Sequence, residues 1–156
     1  EAQLDRFLMR IALGYPAAEE ERRLLLSGGA DRALAGVRPV LSLAELRQAQ
    51  EAVEAVTVAD KLLDYVMALV QRTRSTRDLV LGVSPRGAQG FFRAVQAHAL
   101  VAGRPFATPD DVKRVAPAVL AHRILASATG RYEGTGAGRR EREALQKILD
   151  EVAVPL

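Results

Sequence analysis

Leu81-Gly82-Val83-Ser84-Pro85-Arg86-Gly87-Ala88-Gln89-Gly90-Phe91-Phe92 reads as a loop that turns abruptly into a helix. Ser84 is a good N-cap, because its hydroxyl can accept from a backbone N–H two or three residues on. Pro85 suits the first helical position, where its missing N–H costs nothing. Arg86 then falls in the first turn, at the positive end of the helix dipole, a place unfavourable to a cation by roughly 0.3–1 kcal/mol. A bound anion would reverse that sign, since the helix N-terminus and the guanidinium would act on it together. Arg86 is therefore a candidate phosphate sensor. The alternative is an exposed arginine whose side chain swings back to water. Gly87 and Gly90 each cost a helix about 1 kcal/mol relative to Ala. Either a backbone or ligand approaches that face closely, or the helix tolerates them.

Downstream of this corner, the helix is expected to run to about Ala102, with Ala88, Phe91, Phe92, Val95, Ala99 and Leu100 facing inward and Gly103 ending it. Thr108-Pro109-Asp110-Asp111 repeats the same grammar of cap, proline and early acid. It predicts a short helix to about Ala116 and another from Ala118 to about Ser127. Gly130 to Gly138 reads as flexible. Arg140 to Val152 reads as an amphipathic helix with Leu145, Ile148, Leu149 and Val152 on one face.

Upstream, Asp60 is read as the N-cap of a helix to about Thr73. Its core stripe is Leu62, Val66, Leu69 and Val70, with Leu63 and Met67 beside it. Val56 to Val58 is a connector. Ser42 and Glu45 form an S-x-x-E capping box for a helix to about Val53, apolar at Leu43, Leu46, Ala49 and Val53. Pro16 opens another helix, with Glu19 to Glu21 ahead of Arg22 and Arg23, the order the dipole prefers. Leu24 to Leu26 form its buried end, and Gly28-Gly29 stop it. Phe7 to Leu13, closed by Gly14-Tyr15-Pro16, reads as a short strand. One strand is not stable alone, so it should belong to a sheet outside this chain.

Composition agrees with a helical class. Hydrophobic residues make up 49% of the 156, yet aromatics are 4% and Trp is absent, so Ala, Leu and Val must fill the interior. The net charge is +3, from 22 basic and 19 acidic residues with interleaved signs. Acidic residues interrupt the arginines on most expected helices, so a nucleic-acid face is not expected. The absence of cysteine excludes thiol catalysis and fits a reducing compartment. No stretch approaches the roughly 18 apolar residues of a membrane helix. The first residues, Glu1-Ala2-Gln3, have neither a start Met nor a signal peptide, as if cut from a larger protein.

Other chemistry finds little support. Gly134-Thr135-Gly136-Ala137-Gly138 lacks the Gly-Lys-Ser/Thr ending of a phosphate loop and reads as a linker. His98 and His122 are far apart, with no companion at metal-ligand spacing, so no metal site is assigned and both are placed at the edges of helix packing. Most carboxylates sit at helix starts or on solvated faces, where capping accounts for them.

Four motifs in order carry a resemblance. Glu1-Ala2-Gln3-Leu4-Asp5-Arg6-Phe7 followed by Leu8-Met9-Arg10-Ile11 resembles the segment near the end of the ATPase core in MoxR-type AAA+ ATPases. Leu81 to Arg86 resembles that family's G-[AV]-S-P-R signature. Gly103 to Val112 resembles its G-R-x-x-[VA]-T-P-x-D-V stretch, and Val119-Leu120-Ala121-His122-Arg123 its closing V-L-x-H-R. The tail from Leu125 is not covered by these motifs.

The resemblance implies a mainly α fold, the helical lid of an AAA+ ATPase, with one short N-terminal strand left over from the α/β core. Residues 1–14 would end the core, 15–127 form the lid, 128–139 a linker, and 140–156 a C-terminal amphipathic helix and tail. Arg86 matches the sensor-2 arginine, which reaches the γ-phosphate of ATP on the same subunit, with Pro85 and Ser84 beside it at the nucleotide. Arg6 matches the arginine finger, which reaches the neighbouring subunit's nucleotide in a ring; the plain alternative is a salt bridge with Asp5 or another acid. The phosphate-binding loop and the Mg²⁺-binding acidic strand would lie upstream, so ATP and Mg²⁺ belong to the full-length parent and this piece alone should not hydrolyse ATP. The implied partners are the upstream core, the other subunits of a homo-oligomeric ring (a hexamer) and an unknown client protein in the cytoplasm. A rival reading is a free-standing helical interaction module, an adaptor or a histone-like nucleic-acid binder.

Overall fold

The computed structural model describes residues 3–26, 34, 36–127 and 138–154. The Gly28-Gly29 stop and residues 128–137 of the expected linker lie outside the described residues. Among the described residues six helices are delimited: α1 (Ala18–Leu26), α2 (Leu43–Glu54), α3 (Asp60–Ser75), α4 (Pro85–Val101), α5 (Pro109–Leu120) and α6 (Arg139–Glu151). A 3-10 turn spans Leu4–Arg6, and two short strands, β1 (Leu79–Leu81) and β2 (Leu125–Ala126), pair antiparallel. The fold is mainly α, as the sequence implies. No described helix is long and apolar enough to cross a membrane.

Two compact units divide the chain: Glu1–Arg10 with Glu51–Leu156, and Ile11–Gln50. In the first, α4 packs chiefly against α5, while α6 lies against α3 and α5. The expected stripe of α3 is buried, with Leu62, Val66, Leu69 and Val70 inside and Leu63 and Met67 at the surface. Phe91 and Val95 of α4, Val112 and Val119 of α5, and Leu145 of α6 complete the centre. Each such side chain contributes roughly 1.5–3 kcal/mol by leaving water. Polar links close the rim of α6: Lys147 reaches Asp78 at 2.7 Å and Arg72 reaches Glu151 at 2.7 Å.

Caps form at Ser42, Ser84 and Thr108, where the local grammar places them, but not at Asp60. Gly103 ends α4 with φ +74°, a left-handed turn that suits glycine. Thr108 and Asp111 form a reciprocal capping box at the start of α5. Asp60 is corrected: Ala59 takes the N-cap position and Asp60 is the first helical residue, where its charge still suits the dipole.

The division of residues 109–127 into two helices is also corrected. Helix α5 runs through Pro117 without a break to Leu120, and Leu125-Ala126 pair with β1 instead of continuing a helix. A mid-helix proline costs about 3 kcal/mol. Burial of Val115 and Ala116 before it, with Val119 and Leu120 after it, outweighs that cost.

In the second unit the α1 helix forms, but its end is not buried. Leu24, Leu25 and Leu26 are 51%, 81% and 73% exposed. Helix α2 starts at the expected box, with Ser42 N–H donating to Glu45 Oε2 at 2.7 Å and Glu45 N–H to Ser42 Oγ at 3.2 Å. Its expected stripe, Leu43 and Leu46 included, is not buried either. Periodicity fixes which face of a helix is apolar; burial requires a second surface. Phe7 to Leu13 shows the same dependence. It carries no strand pairing among the described residues, because a strand exists only through a neighbour.

Candidate functional site: an arginine-lined cleft at the start of α4

The approach to α4 is fixed by backbone contact. A Cβ on Gly82 would lie 2.7 Å from the Thr73 carbonyl oxygen, so only glycine lets the end of β1 reach the end of α3. Val83 N–H then donates to Thr73 Oγ1 at 3.1 Å, and Arg74 Nε donates to the Val83 carbonyl at 2.8 Å. Ser84 follows in extended conformation, its Oγ accepting from Gly87 N–H at 2.9 Å. Pro85 is the first helical residue, and the first turn has no acid. Arg86 stands exposed there.

Of the two glycines of α4, Gly87 answers to a side chain and Gly90 does not. A Cβ on Gly87 would meet Arg123 Cδ at 2.9 Å, and one on Gly90 would meet Leu8 Cδ1 at 3.4 Å. Arg123 lies along that face, its side chain 3% exposed. Its Nε donates to Asp5 Oδ1 at 3.1 Å, Nη1 to the Leu8 carbonyl at 2.9 Å and to that of Val119, and Nη2 to the Phe7 carbonyl at 2.6 Å. Asp5 uses its other oxygen on α4: Ser84 Oγ donates to Oδ2 at 2.9 Å. His122 also holds the Phe7 carbonyl, through Nε2 at 3.0 Å, and Arg10 N–H donates to the Ala118 carbonyl at 2.8 Å. Burial pushes the Arg123 guanidinium down from its ordinary value; Asp5 opposes that, and the charge of Arg86 adds to it. Arg123 stays charged, since arginine starts so far above neutrality.

Beside this network opens a cleft of about 1050 Å³. Arg6, Arg74, Arg86, Arg93 and Arg123 line it, with only Asp5 and Glu54 as carboxylates. Asp5 is taken by Arg123, and Glu54 pairs with Arg93 at 3.0 Å. Among the described residues, Arg6 and Arg86 have no ion-pair partner. The structure thus brings both candidate arginines to one cleft. The Ser84 hydroxyl is fully engaged, capping α4 and donating to Asp5. Asp5, the obvious partner for Arg6, faces Arg123 instead.

Sequence reasoning missed two features. Arg123 sits inside the quoted V-L-x-H-R motif, and its only other advance signal was a charge two residues after the apolar run Val119-Leu120-Ala121. The second lies around Asp111, a carboxylate 1% exposed. Arg104 reaches it at 2.5 and 2.7 Å, His98 Nδ1 at 2.6 Å, and Thr108 N–H at 2.7 Å. Burial alone would push this carboxyl up. The hydrogen bonds from Arg104, His98 and Thr108 outweigh burial and hold it well below the usual carboxylate range. His98 therefore braces the junction of α4 and α5, and His122 the N-terminal segment. Among the described residues no group of three or more His, Asp and Glu is arranged to hold a metal.

A helical lid with a basic cleft at the start of its capped helix defines the class. The family pattern of the AAA lid domain matches residues 71–148, half of the chain, and the chain belongs to that family. The match passes beyond Ile124, where the motif resemblance stops, and takes in most of α6. Chaperone MoxR1 of Mycobacterium tuberculosis is 34% identical over 99% of this chain and 42% of its own length. Protein MoxR of Paracoccus denitrificans is 34% identical over 97% of this chain and 48% of its own length. The protein YeaC of Bacillus subtilis, itself uncharacterized, is 35% identical over the whole chain and 48% of its own length. The crystal structure of a candidate ATPase from Cytophaga hutchinsonii superposes with a TM-score of 0.77 at 26% identity, covering 99% of this chain and 48% of that one. This chain therefore spans about half the length of the relatives it matches, two of which are MoxR proteins.

Proposed function

We propose that this chain is the lid portion of a ring-forming MoxR-type ATPase that remodels or matures other proteins, and that Arg86 senses the terminal phosphate of ATP. The observation that carries the reading is the exposed Arg86 guanidinium, in a first turn without acids and without an ion-pair partner among the described residues, on a cleft rich in arginine. Phosphoryl transfer is accelerated mainly by positioning and by neutralising charge on the transferred oxygens, which is work a guanidinium at a helix N-terminus can do. The upstream core of the same polypeptide would hold the nucleotide and its Mg²⁺. Swinging of the lid between ATP and ADP would follow from the differential contact of Arg86 with the two. In the full-length protein, Arg86→Ala is expected to lose turnover far more than nucleotide affinity. Equal loss of both would remove the sensor role.

Arg6 is proposed as the finger that reaches a neighbouring subunit's nucleotide. Its place on the same cleft as Arg86 favours a second reading, in which both guanidiniums meet one nucleotide. Mixed rings separate the two. Subunits disabled in nucleotide binding but retaining Arg6 are combined with Arg6→Ala subunits. Turnover recovers if Arg6 acts across the interface and stays absent if it acts within its own subunit.

A further inference from the structure

The Asp5 carboxylate, through two contacts, links the surroundings of the two arginines that the functional reading depends on. Asp5 adjoins Arg6 in the 3-10 turn. Its Oδ2 accepts from Ser84 Oγ at 2.9 Å, and Ser84 caps the helix whose second residue is Arg86. Its Oδ1 accepts from Arg123 Nε at 3.1 Å, and the same guanidinium seizes the carbonyls of Phe7 and Leu8. One bridge thus runs from the Arg6 turn through Asp5 to the start of α4, and Arg123 anchors it to the end of α5. Gly87 leaves the space in which that anchor lies.

We infer that Asp5 and Arg123 are positioning residues that set where Arg6 and Arg86 stand relative to each other. The inference rests on the functional reading above, and it holds whether the two arginines meet one nucleotide or two. Neither positioning residue needs to touch nucleotide. Asp5 has both oxygens occupied, and Arg123 is buried. Their effect is geometric. A displacement of about 1 Å in a catalytic group can lower a rate by about 100-fold while leaving binding intact.

The test uses the full-length protein, with steady-state ATP turnover and nucleotide affinity measured separately. Asp5→Ala and Arg123→Lys are the variants. Lysine keeps the charge of Arg123 but not its planar fork. Each is expected to lower turnover roughly 10- to 100-fold with affinity unchanged within about twofold. The decisive comparison is Asp5→Ala placed in the Arg6→Ala, Arg86→Ala background. A residue that works only through those two arginines has no further effect there, whereas general destabilisation adds in every background. If Arg123→Lys does not fold, the Asp5→Ala cycle stands alone, since Asp5 lies outside the apolar core. Wild-type turnover in Asp5→Ala, or additive loss in the triple variant, overturns the positioning role while leaving Arg86 as sensor. Wild-type turnover in Arg86→Ala overturns the functional reading itself.

Discussion

At the scale of single residues, Gly82 and Gly90 differ sharply in what surrounds them. Gly82 has backbone atoms of Thr73 and Arg74 within 2.8 Å of where its Cβ would be, and backbone cannot move aside cheaply. Gly90 has only side-chain ends near it, Leu8 Cδ1 at 3.4 Å and Arg123 Nη2 at 3.9 Å, both ordinary contacts. Gly82→Ala is expected to destabilise by about 1–3 kcal/mol through overpacking. Gly90→Ala is expected to stabilise by about 0.5–1 kcal/mol, because it lowers the backbone entropy lost in forming α4. Urea unfolding midpoints of the two variants check both signs. The sequence did not separate these glycines, because what distinguishes them is tertiary contact: Gly82 meets the backbone at the end of α3, Gly90 only side-chain ends. The caps were legible for the opposite reason. Ser84 to Gly87, Ser42 to Glu45 and Thr108 to Asp111 each span three residues, so local grammar contains the whole interaction.

At the scale of elements, α5 shows tertiary packing overriding a local breaker. Pro117 provides no N–H for the Lys113 carbonyl, yet the helix continues because its buried face is needed on both sides of the break. Pro117 itself is exposed, so its replacement disturbs no packing. Pro117→Ala is expected to raise stability by about 1–2 kcal/mol: roughly 3 kcal/mol of helix propensity, less the chain entropy that proline removes from the unfolded state and the strain already relaxed. Thermal unfolding reports it as a higher Tm, and an unchanged or lower Tm would mean that the proline bend is needed by the packing around it. Most helices were readable from periodicity, but the separate helix expected from Ala118 to about Ser127 does not form, and the β1–β2 pair was not foreseen. Leu79 to Leu81 and Leu125-Ala126 are too short to show alternation, and their pairing is decided by where α4 and α5 leave the chain.

For the molecule as a whole, the buried carboxylate of Asp111 ties global stability to pH. Its folded-state pKa lies below the ordinary value, so its contribution is fully present above that value and lost as pH falls through and beneath it. Asp111→Asn is expected to cost about 3 kcal/mol at neutral pH, the low end for breaking a buried pair because Arg104 can turn to water. The gap between variant and wild type should close as pH falls from about 5 towards 2. A gap independent of pH in urea titrations would mean that shape, not charge, makes the residue valuable. Half of the candidate site was legible in advance, because Arg6 and Arg86 sit in short motifs. The Asp5–Arg123 bond was not, since the sequence gap between its partners is most of the chain. That bond has a last consequence. Arg123 grips residues 7 and 8 by their main-chain oxygens, which every amino acid possesses. The staple is therefore blind to side-chain identity, and Phe7 and Leu8 are free to drift during divergence while the route of the chain past α5 stays the same.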